Sequence, residues 1–316
     1  GGYLFLQSLY YELGLNKICR KIRDKRHYSY DLNAILSDLI YTRILEPGSK
    51  RSSFESSKNF LEPPAYQLHD VYRALSVLSE ECDLIQSEVY RNSQTVLKRN
   101  DGILYYDCTN YYFEIEQEDG SKKYGKSKEH RPNPIIQMGL FTDGDGIPLA
   151  FSLFPGNQNE QKSLRAEQIC RAEKMVANGS LKKQRKNPND PARFVNKVAV
   201  TNEGEKAKIH YYLDTDKIAE EEMYDGLYAV CTDLLDDNVA DILKVSEGRW
   251  QIEDCFRTMK TDFEARPVYL NREDRIKAHF LTYFLALLHF RLLNRSLKGT
   301  YTTEQLLHTL KDIKFT

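Results

Sequence analysis

Residues 103–114, ILYYDCTNYYFE, decide how the chain folds. The stretch is apolar and aromatic, rich in residue types that favour a pleated, half-buried surface, so a strand is predicted here. Asp107 stands in its middle. A carboxylate on a buried strand is costly unless it is paired, hydrogen-bonded or coordinated to a metal. The rest of the chain has to supply that partner.

Downstream, the strand period continues through GILYYDCT (102–109), IIQMGLFT (135–142) and IPLAFSLFP (147–155). The last two are separated by DGDG (143–146), which is expected to be a solvated hairpin turn rather than a metal site. The polar stretch EIEQEDGSKKYGKSKEHRPNP (114–134) is expected to fold as a hairpin or tongue. Upstream, residues 1–100 read as helical. DLNAILSDLIYTRIL (31–45) opens on an Asp in the N-cap role and stops at Pro47-Gly48, and residues 68–99 read as a long amphipathic helix. Such a succession of helices suits either helix-turn-helix contact with DNA or a packing module.

The formal net charge over 316 residues is −1, so total charge announces no nucleic-acid partner. Locally the picture differs. Residues 165–197 hold nine Lys/Arg against three Asp/Glu, an excess of six, and include the run KKQRK (182–186). Such a run is either a solvated face or a contact for phosphate backbone. Strand-like segments follow at 195–201 and 207–213, then the acidic DTDKIAEEEMYDG (214–226) and the buried-strand pattern LYAVCT (227–232). Residues 237–263 read as one long helix. Residues 275–297 read as an apolar core helix rather than a membrane span, given its length and the presence of His289 and Arg291. The six cysteines are scattered without a CxxC pair, which argues against a zinc site or a disulfide framework and for a reducing, intracellular setting. The first residues are not signal-like, and a start without Met suggests a fragment or a processed terminus.

On a helix over 249–263, Ile252, Phe256, Met259 and Phe263 make an apolar face. Arg249, Glu253, Arg257 and Lys260 follow at steps of four, four and three on a neighbouring one. Alone, this polar stripe is a ladder of exposed ion pairs. Read together with Asp107, it resembles the DDE transposases of bacterial insertion sequences, of the IS-four type group. Their late helix carries Tyr, two residues, Arg, three residues, Glu, six residues, Lys. Arg249, Glu253 and Lys260 keep that spacing, and Ser246 takes the Tyr position. YYDCTNYYFE resembles the group's first-strand Asp motif. Gly156, Asn157 and Glu160 match its GNxxE segment after the third strand. KNPNDPARF, YDGLYAVCT and RPVYLNREDRIKAHFL resemble a subgroup with a β-rich insertion.

The resemblance implies an α/β protein with an RNase H-like mixed sheet and flanking helices. It implies an N-terminal helical domain over 1–100, possible in a DNA-binding role, and catalytic-core parts at 101–164 and 226–297. Between these would lie a basic, β-rich insertion remnant at 165–225, with a C-terminal tail at 298–316. It further implies DNA strand cleavage and transfer at Asp107 and Glu253. Carboxylates of such sites hold two Mg²⁺ or Mn²⁺ ions about 4 Å apart, to activate the attacking oxygen and stabilise the leaving one. Arg249 would orient Glu253 or meet phosphate. Lys260 would contact DNA phosphate, as would Lys182, Lys183, Arg185 and Lys186 of the basic run; His130 and Arg131 are peripheral candidates. The implied partners are double-stranded DNA (terminal inverted repeats and target) and further copies of the chain on DNA, with no membrane, in a bacterial or archaeal cytoplasm.

The pattern breaks at one place. The family's second Asp follows a fourth apolar strand, yet no apolar strand ending in Asp lies between Leu164 and Phe194. Asp214 and Asp216 follow an insertion strand, and Asp233 comes too late. An internal deletion near Leu164–Arg165, removing one central strand and the second Asp, is therefore expected. The expected outcome is a protein that binds DNA but cleaves it poorly, or a DNA-binding inhibitor derived from a truncated transposase.

Overall fold

Asp31 starts the helix that organises the N-terminal part: its carboxylate accepts from the backbone N–H groups of Asn33 (2.9 Å) and Ala34 (3.1 Å). In a computed structural model, which describes every residue except 126, 130, 158–159, 178–190, 201–207, 224–246 and 314–316, this helix is α3 (Leu32–Leu45). Before it come α1 (Tyr3–Glu12) and α2 (Leu15–Lys25); after it, α4 (Lys50–Ser57), α5 (Leu68–Glu80) and α6 (Cys82–Val96). The helix expected over 68–99 thus breaks at Glu81. Its backbone leaves helical geometry there, and Arg26 of the α2 terminus clamps the carboxylates of Glu80 and Glu81.

Strands β1 (Leu104–Tyr112), β2 (Ile135–Asp143) and β3 (Pro148–Pro155) form an antiparallel sheet in the order β1-β2-β3. Asp107 lies opposite Leu140, and Tyr111 opposite Ile136. Alternation puts Asp107, Thr109 and Tyr111 on one face of β1, the face shared by Ile136, Met138 and Leu140 of the core. The 114–134 stretch makes a tight turn at Asp119–Lys122, with Gly120 at positive φ (56°), and bridges back to β2 through Lys123–Ile135.

The chain divides into two units, Gly1–Gly156 with Asp236–Thr316, and Asn157–Leu235. In the first, one hydrophobic core runs from Tyr3 to Leu310. It is organised around a 24-residue helix over Glu273–Ser296, against which α1, α3, α5 and β3 pack. The N-terminal helices therefore share their core with the sheet. That long helix is apolar enough to cross a membrane by length and composition, but 89% of its most apolar window is buried against the protein. The second unit holds α7 (Glu160–Ala177), the antiparallel pair β4 (Val195–Val200) and β5 (Lys208–Leu213), and α8 (Thr215–Glu222). The protein is thus α/β, with antiparallel sheets. The strand expected at 227–232 lies outside the described residues.

The late helix differs from its expected form. From Trp250 to Arg257 it is α-helical (α9); from Thr258 to Asp262 it widens into a single π turn, closed by Phe263 N–H to Thr258 O at 3.0 Å. The long core helix is α10 (Glu273–Ser296), and α11 (Thr303–Asp312) follows behind a capping box at Thr302.

Candidate active site

The site is built where α9 packs across β1 and β2. Ile252, Cys255, Phe256, Met259 and Phe263 are buried there, as the apolar stripe requires. Asp254 ties α9 to α10 through Arg291, at 2.6 Å. With the helix so fixed, Arg249 at its first turn reaches Asp107: Nη2 stands 3.9 Å from Oδ1. Arg249 is half-exposed and Asp107 is 15% exposed, so solvent weakens this pair. It nevertheless answers what Asp107 meets within the protein. Glu253, four residues after Arg249 on the same face of α9, is exposed. The structure therefore brings Arg249, at the N-cap of α9, to Asp107; Glu253 is placed on the exposed side of that helix.

Lys260 is placed differently from its three companions in the stripe. Arg249, Glu253 and Arg257 are exposed, whereas the π turn carries Lys260 inward, to 12% side-chain exposure. Lys260 lies within the π turn, whose wider i→i+5 repeat advances each residue by a smaller angle than an α-helix does, so the step of three from Arg257 does not keep Lys260 on the exposed face. Its ammonium sits 3.2 Å from Glu129 Oε1 and 5.3 Å from the centre of the Tyr111 ring. Burial lowers the Lys260 pKa, and Glu129 opposes that shift. Arg266 closes on the same Glu129 oxygen. Arg131 stacks over Tyr112 at 5.0 Å rather than joining this group. Lys182, Lys183, Arg185, Lys186, His130 and Asp233 lie outside the described residues.

One other expectation changes, and Asp214, set aside in the sequence, has a structural role. The DGDG turn is not solvated at its first residue: Asp143 is fully buried, accepts from Arg99 Nε at 2.6 Å, and receives the N–H groups of Asp145 and Ile147. Asp214 acts as a structural cap, accepting from Lys217 N–H at 3.0 Å and from Asn196 Nδ2 at 2.7 Å.

Among the described residues, the carboxylates expected to hold a metal are Asp107 and Glu253. Among the described residues no group of three or more His, Cys, Asp or Glu side chains is arranged to hold an ion. Two carboxylates, one of them beside a guanidinium, make a weak cage for a pair of hard cations that each take several oxygen ligands. Sequence reasoning missed Glu129, Arg266 and Trp250. Glu129 lies in a loop and meets Lys260 and Arg266, 131 and 137 positions away, which no periodicity signals. Trp250, the only tryptophan of the chain, is 61% exposed beside Arg249, and an exposed Trp on a polar helix face was the available signal. Scanning known protein-family models and curated proteins yields no match for this chain.

Proposed function

We propose that this chain is a DNA-binding protein of the DDE transposase type, with an RNase H-like core, impaired in strand cleavage. One observation carries the reading: Asp107 at the middle of β1 is met by Arg249, one helical turn before Glu253, on a helix packed across that strand. The contact supports the reading because the resemblance pairs Asp107 with the helix that carries Glu253. Asp107 and Glu253 would hold Mg²⁺ or Mn²⁺, and Lys260 would face DNA phosphate. The lack of an apolar strand ending in Asp between Leu164 and Phe194 favours a protein that occupies DNA ends more readily than it cuts them, and thus a second reading as an inhibitor of intact transposases.

Purified protein should shift DNA carrying terminal inverted repeats in EDTA, and should nick it with Mg²⁺ or Mn²⁺ far more slowly than a relative retaining all three carboxylates. Cleavage at rates comparable to such a relative would overturn the impairment. Failure to bind any DNA would overturn the reading as a whole. Inhibition of an intact relative in a mixed reaction would select the inhibitor.

A further inference from the structure

Arg43, Lys50 and His279 bring three basic side chains into the helical core, where they are 1%, 5% and 8% exposed. Local geometry ties them together. Arg43, on α3, donates through Nη2 to the Gly48 carbonyl at 2.7 Å, two residues before Lys50 opens α4. Its guanidinium carbon lies 4.5 Å from the centre of the Tyr283 ring. His279, one helical turn earlier on α10, meets the same ring edge-on, at 4.6 Å between centres. Ser53 follows Lys50 by three residues on α4 and is buried with it.

These side chains hold donors that the protein does not use. Among the described residues, Lys50 Nζ, Arg43 Nε, Ser53 Oγ and both ring nitrogens of His279 are buried without a hydrogen-bond partner. The charged group that acts on Lys50 is Arg43, of like sign, and the carboxylate that acts on Arg43 is that of Glu264, an exposed residue. Buried charges are normally paired, and each buried donor left without an acceptor costs free energy. Burial lowers the Lys50 pKa, yet a neutral amine would leave its own N–H groups unmet and do nothing for Arg43. Water would accept the hydrogen bonds and leave the charge. An anion answers both, and the first turn of α4 adds partial positive charge on the same side. With none of the four residues more than 8% exposed, the ligand has to be small, and a DNA backbone is excluded.

We propose that Arg43, Lys50, Ser53 and His279 hold a small monovalent anion of halide type in the core between α3, α4 and α10. The site is separate from Asp107 and requires no DNA. Arg43 also donates to the Phe263 carbonyl at 3.2 Å, so the anion is placed to fasten α3 and α4 to the end of the π turn.

The test measures the melting temperature of the full chain in sodium chloride, sodium bromide and sodium gluconate at equal ionic strength, beside Lys50→Met. Chloride and bromide should raise the melting temperature of the unaltered chain saturably, by about 5 °C at about a hundredfold excess over the dissociation constant. Gluconate, too large to enter, should give no such rise. In Lys50→Met the halide-specific rise should vanish, while stability in gluconate should match or exceed that of the unaltered chain, because an uncompensated charge gives way to an apolar side chain of similar length. Crystals of the unaltered chain soaked in bromide should show an anomalous peak within hydrogen-bonding distance of Lys50 Nζ, a measurement that holds even if the variant fails to fold. A halide response undiminished in Lys50→Met, a melting temperature independent of the anion, or no bromide peak beside Lys50 would each overturn the site.

Discussion

Asp38, His279 and His289 are buried in the helical core, and burial acts on them in opposite senses. Desolvation pushes the Asp38 carboxyl up to about 7, against the downward pull of the hydrogen bond that Tyr66 donates to it at 2.8 Å. Desolvation pushes His289 down to about 4, partly countered by its contact with the Leu285 carbonyl. His279 is driven well below its usual range by burial, with Lys50 and Arg43 adding to the effect. As pH falls from about 6.5 towards 4, unfolding lets the two imidazoles take protons that the folded protein refuses, so stability is lost. Over nearly the same window unfolding lets Asp38 release a proton that the folded protein holds, so stability is gained as pH falls. Asp38 thus offsets one of the two histidines. Asp38→Asn should remove that offset and make the acid loss of stability steeper by about one proton, or about 1.4 kcal/mol per pH unit between about pH 4 and 7. Urea unfolding at a series of pH values measures the slope, and parallel profiles for the two proteins would show that Asp38 is ionised in the folded state. Lys50 belongs to the same cluster: its ammonium is buried with no hydrogen-bond partner among the described residues, and burial holds its pKa well below the usual lysine range.

The β2–β3 hairpin shows what an element needs beyond its pattern. The run from Ile135 to Pro155 was legible as two strands about a DGDG turn, because alternation and turn residues are local properties. The burial of Asp143 was not, since its partner Arg99 lies 44 residues earlier, just past the end of α6. Arg99 also donates to Ser93 Oγ at 2.6 Å and to the carbonyls of Ile147 and Pro148, fastening helix, turn and strand together. Removing one member of a buried pair strands the other charge without compensation. Arg99→Met should therefore destabilise the protein by about 3–5 kcal/mol, and the double variant with Asp143→Asn by less, as read from chemical denaturation. Equal losses in both would mean that the charge of Asp143 is not what the guanidinium compensates. The same limit governs the late helix. Its apolar stripe followed from a 3.6-residue period and is buried as expected, whereas nothing in that period signals the π turn that draws Lys260 inward. Asp107 and Glu253 could be singled out by spacing; their neighbours Glu129 and Arg266 could not, because only the assembled sheet brings that loop to the helix.

At the scale of the molecule, charge is distributed rather than accumulated: a total of −1 conceals the excess of six over residues 165–197. If DNA is the partner, affinity must come from such local sets, and each Lys or Arg that neutralises a phosphate adds about 0.9 to the slope of log affinity against log salt. Replacing Lys182, Lys183, Arg185 and Lys186 together by Gln should reduce that slope by up to about 3 to 4. Trp250, next in the chain to the Arg249 that meets Asp107, supplies an independent readout of the start of α9, because no other tryptophan contributes to the emission. DNA at the start of α9 should quench it, and at saturating DNA the quench should be the same in the four-fold variant as in the unaltered chain, reached only at higher concentration. A variant with an unchanged salt slope would remove the basic run from the interface. Full binding with no change in Trp250 emission would place the DNA away from the helix end whose Arg249 meets Asp107, and would count against the proposed phosphoryl-transfer site.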